Sequence, residues 1–138
     1  MDANNVAQPH VVGAISADRE LLELAANAAG YSIAFDDGMS ASFDDGIYYT
    51  HDRGYPAANR DGSNWWNPLL DDGDALRLAV KLGIGIYANL NRNPPEAQAL
   101  IDASGMLIRE PLLAEDHRSG IRRAIVRAAA EIRQAMLS

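Results

Sequence analysis

The chain has no cysteine in its 138 residues. Disulfide bridges and thiolate zinc sites are therefore excluded. Lysine is almost missing too: Lys81 stands alone, and arginine supplies the rest of the positive charge. Positive charge is scarce altogether, with 12 basic against 19 acidic residues and a formal net charge of −7. This balance argues against tight nonspecific nucleic-acid binding, which needs a positive surface to displace counterions. No apolar run approaches the ~20 residues of a membrane-spanning helix. Met1-Asp2-Ala3-Asn4-Asn5 has no basic residue and leads into no apolar stretch. No secretory signal is read there, and a cytoplasmic protein is the expectation. A Gly-x-Ser-x-Gly nucleophile motif and a phosphate-binding glycine loop are both missing. No pair of histidines stands at metal-binding helical spacing.

What is present fits one domain. Hydrophobic residues make up 48% of the chain, which is ordinary for a globular protein. A chain of this length buries roughly 70% of its unfolded surface, enough for one core. Residues 1–12 are polar, contain Pro9 and show no period. They read as a flexible arm ahead of a single domain over 13–138. The charge is uneven: Arg118, Arg122, Arg123, Arg127 and Arg133 gather near the end, with Glu131 as the acid among them. They read as the solvated face of a helix, with weak nucleic-acid contact as the minor alternative.

Apolar spacing predicts a helix over 17–29. Ser16 would cap it, Asp18 and Glu20 would favour its dipole, and Gly30 would stop it. Short strands follow over 31–35, 40–43 and 47–51, with Asp-Gly turns between them. Residues 52–64 read as an irregular loop. A second helix starts at Asp71 or Asp72 and ends at Leu82, before Gly83. The next strand covers 84–90. Two apolar runs, 97–103 and 106–113, flank Ser104-Gly105 as a hairpin. A short helix begun by Pro95-Glu96 is the alternative for the first run. Ile121, Ala124, Ile125, Ala128, Ala129, Ile132, Ala135 and Met136 recur at helical spacing behind Asp116, a candidate cap. These faces must cover one another, so the fold class is α+β. An α/β/α-type sandwich is expected, with helices on a small, mainly antiparallel sheet.

Three segments carry a resemblance. Trp66-Asn67-Pro68-Leu69, followed by Asp71-Asp72-Gly73-Asp74-Ala75-Leu76-Arg77-Leu78-Ala79-Val80-Lys81-Leu82, resembles a motif of small bacteriophage and prophage proteins. Arg122-Arg123-Ala124-Ile125-Val126-Arg127-Ala128-Ala129-Ala130-Glu131-Ile132 resembles their closing helix, and Leu21 to Gly30 their opening one. Such proteins are grouped with the phage ABA-sandwich domain. The resemblance covers roughly residues 18–136 and implies an origin and a fold. It brings no catalytic residues.

Candidate sites gather around the Trp-Asn-Pro box. Adjacent side chains in extended chain point to opposite sides. Trp66 is then the expected core anchor, and Trp65 the partly exposed one that could stack on a ligand or partner. Asn59, Trp65, Trp66, Asn67 and Asp71 form the candidate binding face. Asp71, Asp72 and Asp74 read first as helix capping, worth ~1 kcal/mol. The alternative is a carboxylate cluster holding Mg²⁺ or Mn²⁺ for hydrolysis or nucleotide processing, with His51. His51-Asp52 reads first as the end of a strand. The Asp-Gly pairs at 37–38, 45–46, 61–62 and 72–73 read as turns. The leading expectation is a noncatalytic accessory protein that needs no cofactor and binds a host or phage protein or a small ligand. A homodimer through strand edges or the alanine-rich last helix is also expected.

Overall fold

The computed structural model describes residues 10–36, 47–50 and 64–137. The elements are α1 (His10–Ala29), β1 (Ile33–Asp36), β2 (Ile47–Thr50), β3 (Asn64–Trp65), α2 (Asp72–Leu82), β4 (Ile84–Asn89), β5 (Glu96–Ile101), β6 (Leu107–Pro111) and α3 (His117–Leu137). The class is α+β. The strands form two antiparallel sheets, β1-β2-β3 and β4-β5-β6, where one was expected. No helix of the described residues is long and apolar enough to cross a membrane.

The second sheet and α3 make the centre of the core. In β5, Ala97, Ala99 and Ile101 are buried, while the residues between them are not. That alternation turns one face of the sheet inward. Ala99 sits opposite both Ile86 and Ile108, so a small residue lies between two large ones. On α3 the buried positions run from Ala124 to Val126 and again from Ala128 to Ala130. The helix is covered on several sides, because it touches β4, β5 and β6 as well as α1 and α2. Alanines let these neighbours come close. At Gly120 the approach is closer still: a Cβ there would overlap the Pro111 carbonyl oxygen. The first of the two apolar runs is strand over Glu96–Ile101 and not helix, since its pairing with β4 and β6 engages its backbone on both edges, and 102–103 belong to the turn.

The second helix follows its local rules. Asp71 is the N-cap, and its carboxylate accepts the Asp74 amide at 2.8 Å. Gly83 closes the helix in the left-handed region (φ 68°), where its N–H reaches the carbonyls of Ala79 and Val80. Such a φ strains any side chain but glycine's. At the start of α3, Asp116 accepts the Arg118 amide at 3.1 Å, in keeping with a cap.

The first helix differs from expectation. It begins at His10, so Ser16 lies inside it and residues 10–12 belong to it. No proline follows Pro9 before Pro56, and nothing in between forces a later start. Asp18 is consequently too far from the N-terminus to serve the dipole. It pairs instead with Arg123 of α3 through two hydrogen bonds of 3.0 Å. The expected loop over 52–64 ends in β3, which pairs with β2 by placing Trp65 opposite Tyr49. The expected strand at 40–43, together with Asn59, His51 and the Asp-Gly pairs at 37–38, 45–46 and 61–62, lies outside the described residues. The pair at 72–73 opens α2 and is not a free turn.

Candidate functional site

The Trp-Asn-Pro box turns the chain from β3 into α2. Trp65 is 47% exposed and Trp66 is 0% exposed. The backbone imposes this split: the Trp66 amide donates to the Tyr48 carbonyl at 2.9 Å and continues the β2 pairing by one residue. Beneath, the Trp66 ring meets Tyr31 edge to face, with centroids 6.0 Å apart. Any role of Trp66 in binding therefore acts through the core and not through direct contact.

Asn67 is the hinge of the turn. Its side-chain oxygen accepts the Leu69 amide at 2.9 Å, which is an Asx turn. Its carbonyl accepts the amides of Leu70 and Asp71 at 3.0 and 2.9 Å. Its own amide donates to the Asp74 carboxylate at 2.8 Å. Asp74, 3% exposed, also accepts from Arg77 at 2.9 Å. This one carboxylate thereby ties α2 to the turn that precedes it.

The three clustered acids go to three different tasks. Asp71 caps α2, and Asp74 brackets Asn67 to Arg77. Asp72 faces α3, where Arg122 and Arg118 donate to it at 2.6 and 3.0 Å. The hydrogen bond from Arg122 comes first among the causes that hold its carboxyl below the usual range. Among the described residues, no group of three or more histidines or acids stands where it could share a metal ion.

A cavity of about 370 Å³ opens beside this turn. Asn67, Leu69 and Leu70 form one wall. Asp18 and Tyr48 come from α1 and β2, while Arg122 and Arg123 come from α3, with Asp116 and Ser119 at its start. Arg122 is the strut. Its side chain is 12% exposed, its Nε–H donates to the Leu69 carbonyl at 2.8 Å, and its guanidinium lies 3.6 Å from Asp116. Arg123 is held by Asp18, whose hydrogen bonds raise the guanidinium pKa further. Two acids and two arginines thus line the cavity, and their charges cancel. The arginines expected on a solvated face are largely engaged with other elements, since Arg127 also pairs with Glu110 of β6. An acidic chain offers these guanidiniums many carboxylates, and close packing brings the partners within reach.

Of the residues singled out in the sequence, Asn67 lines the cavity, Trp65 stands exposed nearby in the chain, and Asp71 supports the turn from outside it. Asp18, Tyr48, Asp116, Ser119, Arg122 and Arg123 were not foreseen as neighbours. They come from separate elements, and no local spacing links them.

Tyr48 gives the site a pH signature. Its hydroxyl donates to Glu23 at 2.8 Å. Burial first, then this hydrogen bond, push its pKa up to about 12. An unfolded tyrosine ionises near 10. The Tyr48 contribution to stability is therefore whole below pH ~10, and it falls as pH rises toward about 12, by roughly 1.4 kcal/mol per unit. Urea melts of wild type and Tyr48→Phe at about pH 9 and pH 11 check this sign. The stability gap between them should narrow at the higher pH.

Comparison with known protein families, curated proteins and solved structures gave no match.

Proposed function

We propose that the chain is a noncatalytic binding module whose ligand enters the cavity between α1, α3 and the turn after Trp66. The observation that carries this reading is a cavity of about 370 Å³, within the usual size range of ligand pockets. Its wall mixes apolar leucines with charges that neutralise one another. A wall of zero net charge gives an isolated ion little preference. It suits a neutral or zwitterionic small molecule carrying both donors and acceptors, or an amide-bearing side chain presented by a partner protein. Trp65 supplies an exposed aromatic contact for a larger partner. The resemblance of the Trp-Asn-Pro box and the last helix to small phage and prophage proteins suggests the setting: an accessory role in a bacterial host cell.

The metal-assisted hydrolase has less support. Asp71, Asp72 and Asp74 are each already engaged elsewhere, by the Asp74 amide, by Arg118 and Arg122, and by the Asn67 amide and Arg77.

Two substitutions test the proposal. Ser119→Phe fills the cavity from α3. Native mass spectrometry of wild-type protein purified gently from a bacterial lysate should show an extra small mass that this variant lacks. Trp65→Ala should lose partner capture from the same lysate, with an unchanged circular dichroism spectrum. Wild-type protein with a clean mass and no captured partner would remove the binding-module reading. Capture that survives Trp65→Ala would remove Trp65 from it.

A further inference from the structure

We propose that β4 is the contact strand of a two-fold homodimer, in which two copies join their sheets edge to edge around Ile86. The two edges of the β4-β5-β6 sheet are built differently. On β6, the outer edge holds Arg109 and Pro111. Pro111 has no N–H to offer, and the Arg109 carbonyl accepts from the Arg127 guanidinium at 3.0 Å. Charge, proline and a covering side chain are the usual guards of a sheet edge. β4 itself, Ile84 to Asn89, carries neither charge nor proline, and the same holds from Leu82 to Asn91. Gly85, Ile86, Tyr87 and Ala88 are all exposed, so both faces of the strand are open to a partner at its middle.

The hydrogen-bond parity says which groups face out. The Asp102 amide donates to the Gly83 carbonyl at 3.2 Å, so Gly83 turns its backbone toward β5. Successive residues of an antiparallel strand alternate in this respect. Gly85, Tyr87 and Asn89 therefore bond to β5, while Ile84, Ile86 and Ala88 aim their N–H and C=O groups outward. Among the described residues none of those outward groups has a backbone partner.

The occupant that fits is a second copy of β4. Antiparallel pairing on a two-fold axis must match outward residues with outward residues. That places Ile86 opposite Ile86 and Ile84 opposite Ala88. Every facing pair is uncharged, which matters for a chain of net charge −7 that repels its own copies elsewhere. The cations flanking the strand are engaged: Lys81 lies over the Tyr31 ring at 5.0 Å, and Arg92 pairs with Glu96 at 3.3 Å. A strand pair alone is smaller than the roughly 1,200 Å² that stable dimers bury. The surface beside it widens the contact. Ile86 is 39% exposed and shares an apolar cleft of about 220 Å³ with Leu76, Ile121 and Ile125, and Val80 stands 74% exposed one turn beyond Leu76.

Sedimentation velocity on the full chain at tens of micromolar should show a dimer. Ile86→Lys, which sets two charges together on the axis, and Ala88→Pro, which removes an outward N–H, should each weaken it at least tenfold with unchanged circular dichroism. Because the chain has no cysteine, Ile86→Cys adds a unique thiol. Mild oxidation should link it to its own copy, while Leu113→Cys, on an exposed residue away from β4, should stay unlinked. This cross-link decides the matter if either other variant fails to fold. A wild-type monomer at ~100 µM, or Ile86→Cys linking no faster than Leu113→Cys, overturns the proposal. So does a dimer indifferent to both Ile86→Lys and Ala88→Pro. The test does not depend on the cavity or on its ligand.

Discussion

Trp66→Ala is expected to lower stability by about 3–5 kcal/mol, while Trp65→Ala stays within about 1 kcal/mol of wild type. The two residues are neighbours of one type, so the contrast isolates environment. Trp66 is fully buried and packs on Tyr31, and its loss leaves a void that the surrounding turn and helices cannot fill. Trp65 gives up only the contacts of a half-exposed ring. Domains of this kind hold about 5–15 kcal/mol in total, so Trp66→Ala should lie near the limit of folding at 37 °C. Urea denaturation of both variants, followed by circular dichroism, measures the difference. Equal losses would mean that the core does not rest on Trp66.

This contrast was legible in the sequence because it depends on one local rule, the alternation of side chains along extended chain. The second helix was legible for the same kind of reason. Asp71 before it and Gly83 after it act through their own backbone geometry and need no distant partner. The hairpin of β5 and β6 announced itself by Ser104-Gly105 between two apolar runs. Where sequence reasoning fell short, the deciding contact was remote. Ser16 looks like a cap, yet the helix passes through it, because a cap competes with continuation and nothing breaks the chain between Pro9 and Gly30. Asp18 reads as a dipole partner until α3 brings Arg123 beside it. The division of the strands into two sheets depends on pairing across long separations, which periodicity does not encode. The cavity was hidden for the same reason: Asn67 was marked out by its box, but Asp18, Tyr48 and Arg122 approach it from other elements.

Asp74→Ala separates the structural reading of the acid cluster from the metal reading. In the structural reading the carboxylate is a bracket between the Asn67 amide and Arg77. Removing it leaves the Asn67 amide without this acceptor in a partly buried place and takes one carboxylate from the Arg77 guanidinium, which is 40% exposed and also lies 4.0 Å from Asp71. The first effect dominates, because a hydrogen bond to a charged group contributes about 1.5–3 kcal/mol and an orphaned amide adds its desolvation cost. The half-exposed guanidinium keeps Asp71 beside it and loses little. A loss of about 3 kcal/mol is expected, against ~1 kcal/mol for the cap variant Asp71→Ala. Asp74→Asn keeps one acceptor and should fall between the two. In the metal reading the sign reverses without metal: three carboxylates held close repel one another, so deleting one should stabilise the protein in EDTA. Stability would then be gained on adding Mg²⁺ to wild type and not to the variant. Urea melts in EDTA and in Mg²⁺ therefore separate the two. The bracket predicts the same loss in both buffers, and a variant more stable than wild type in EDTA would sink it.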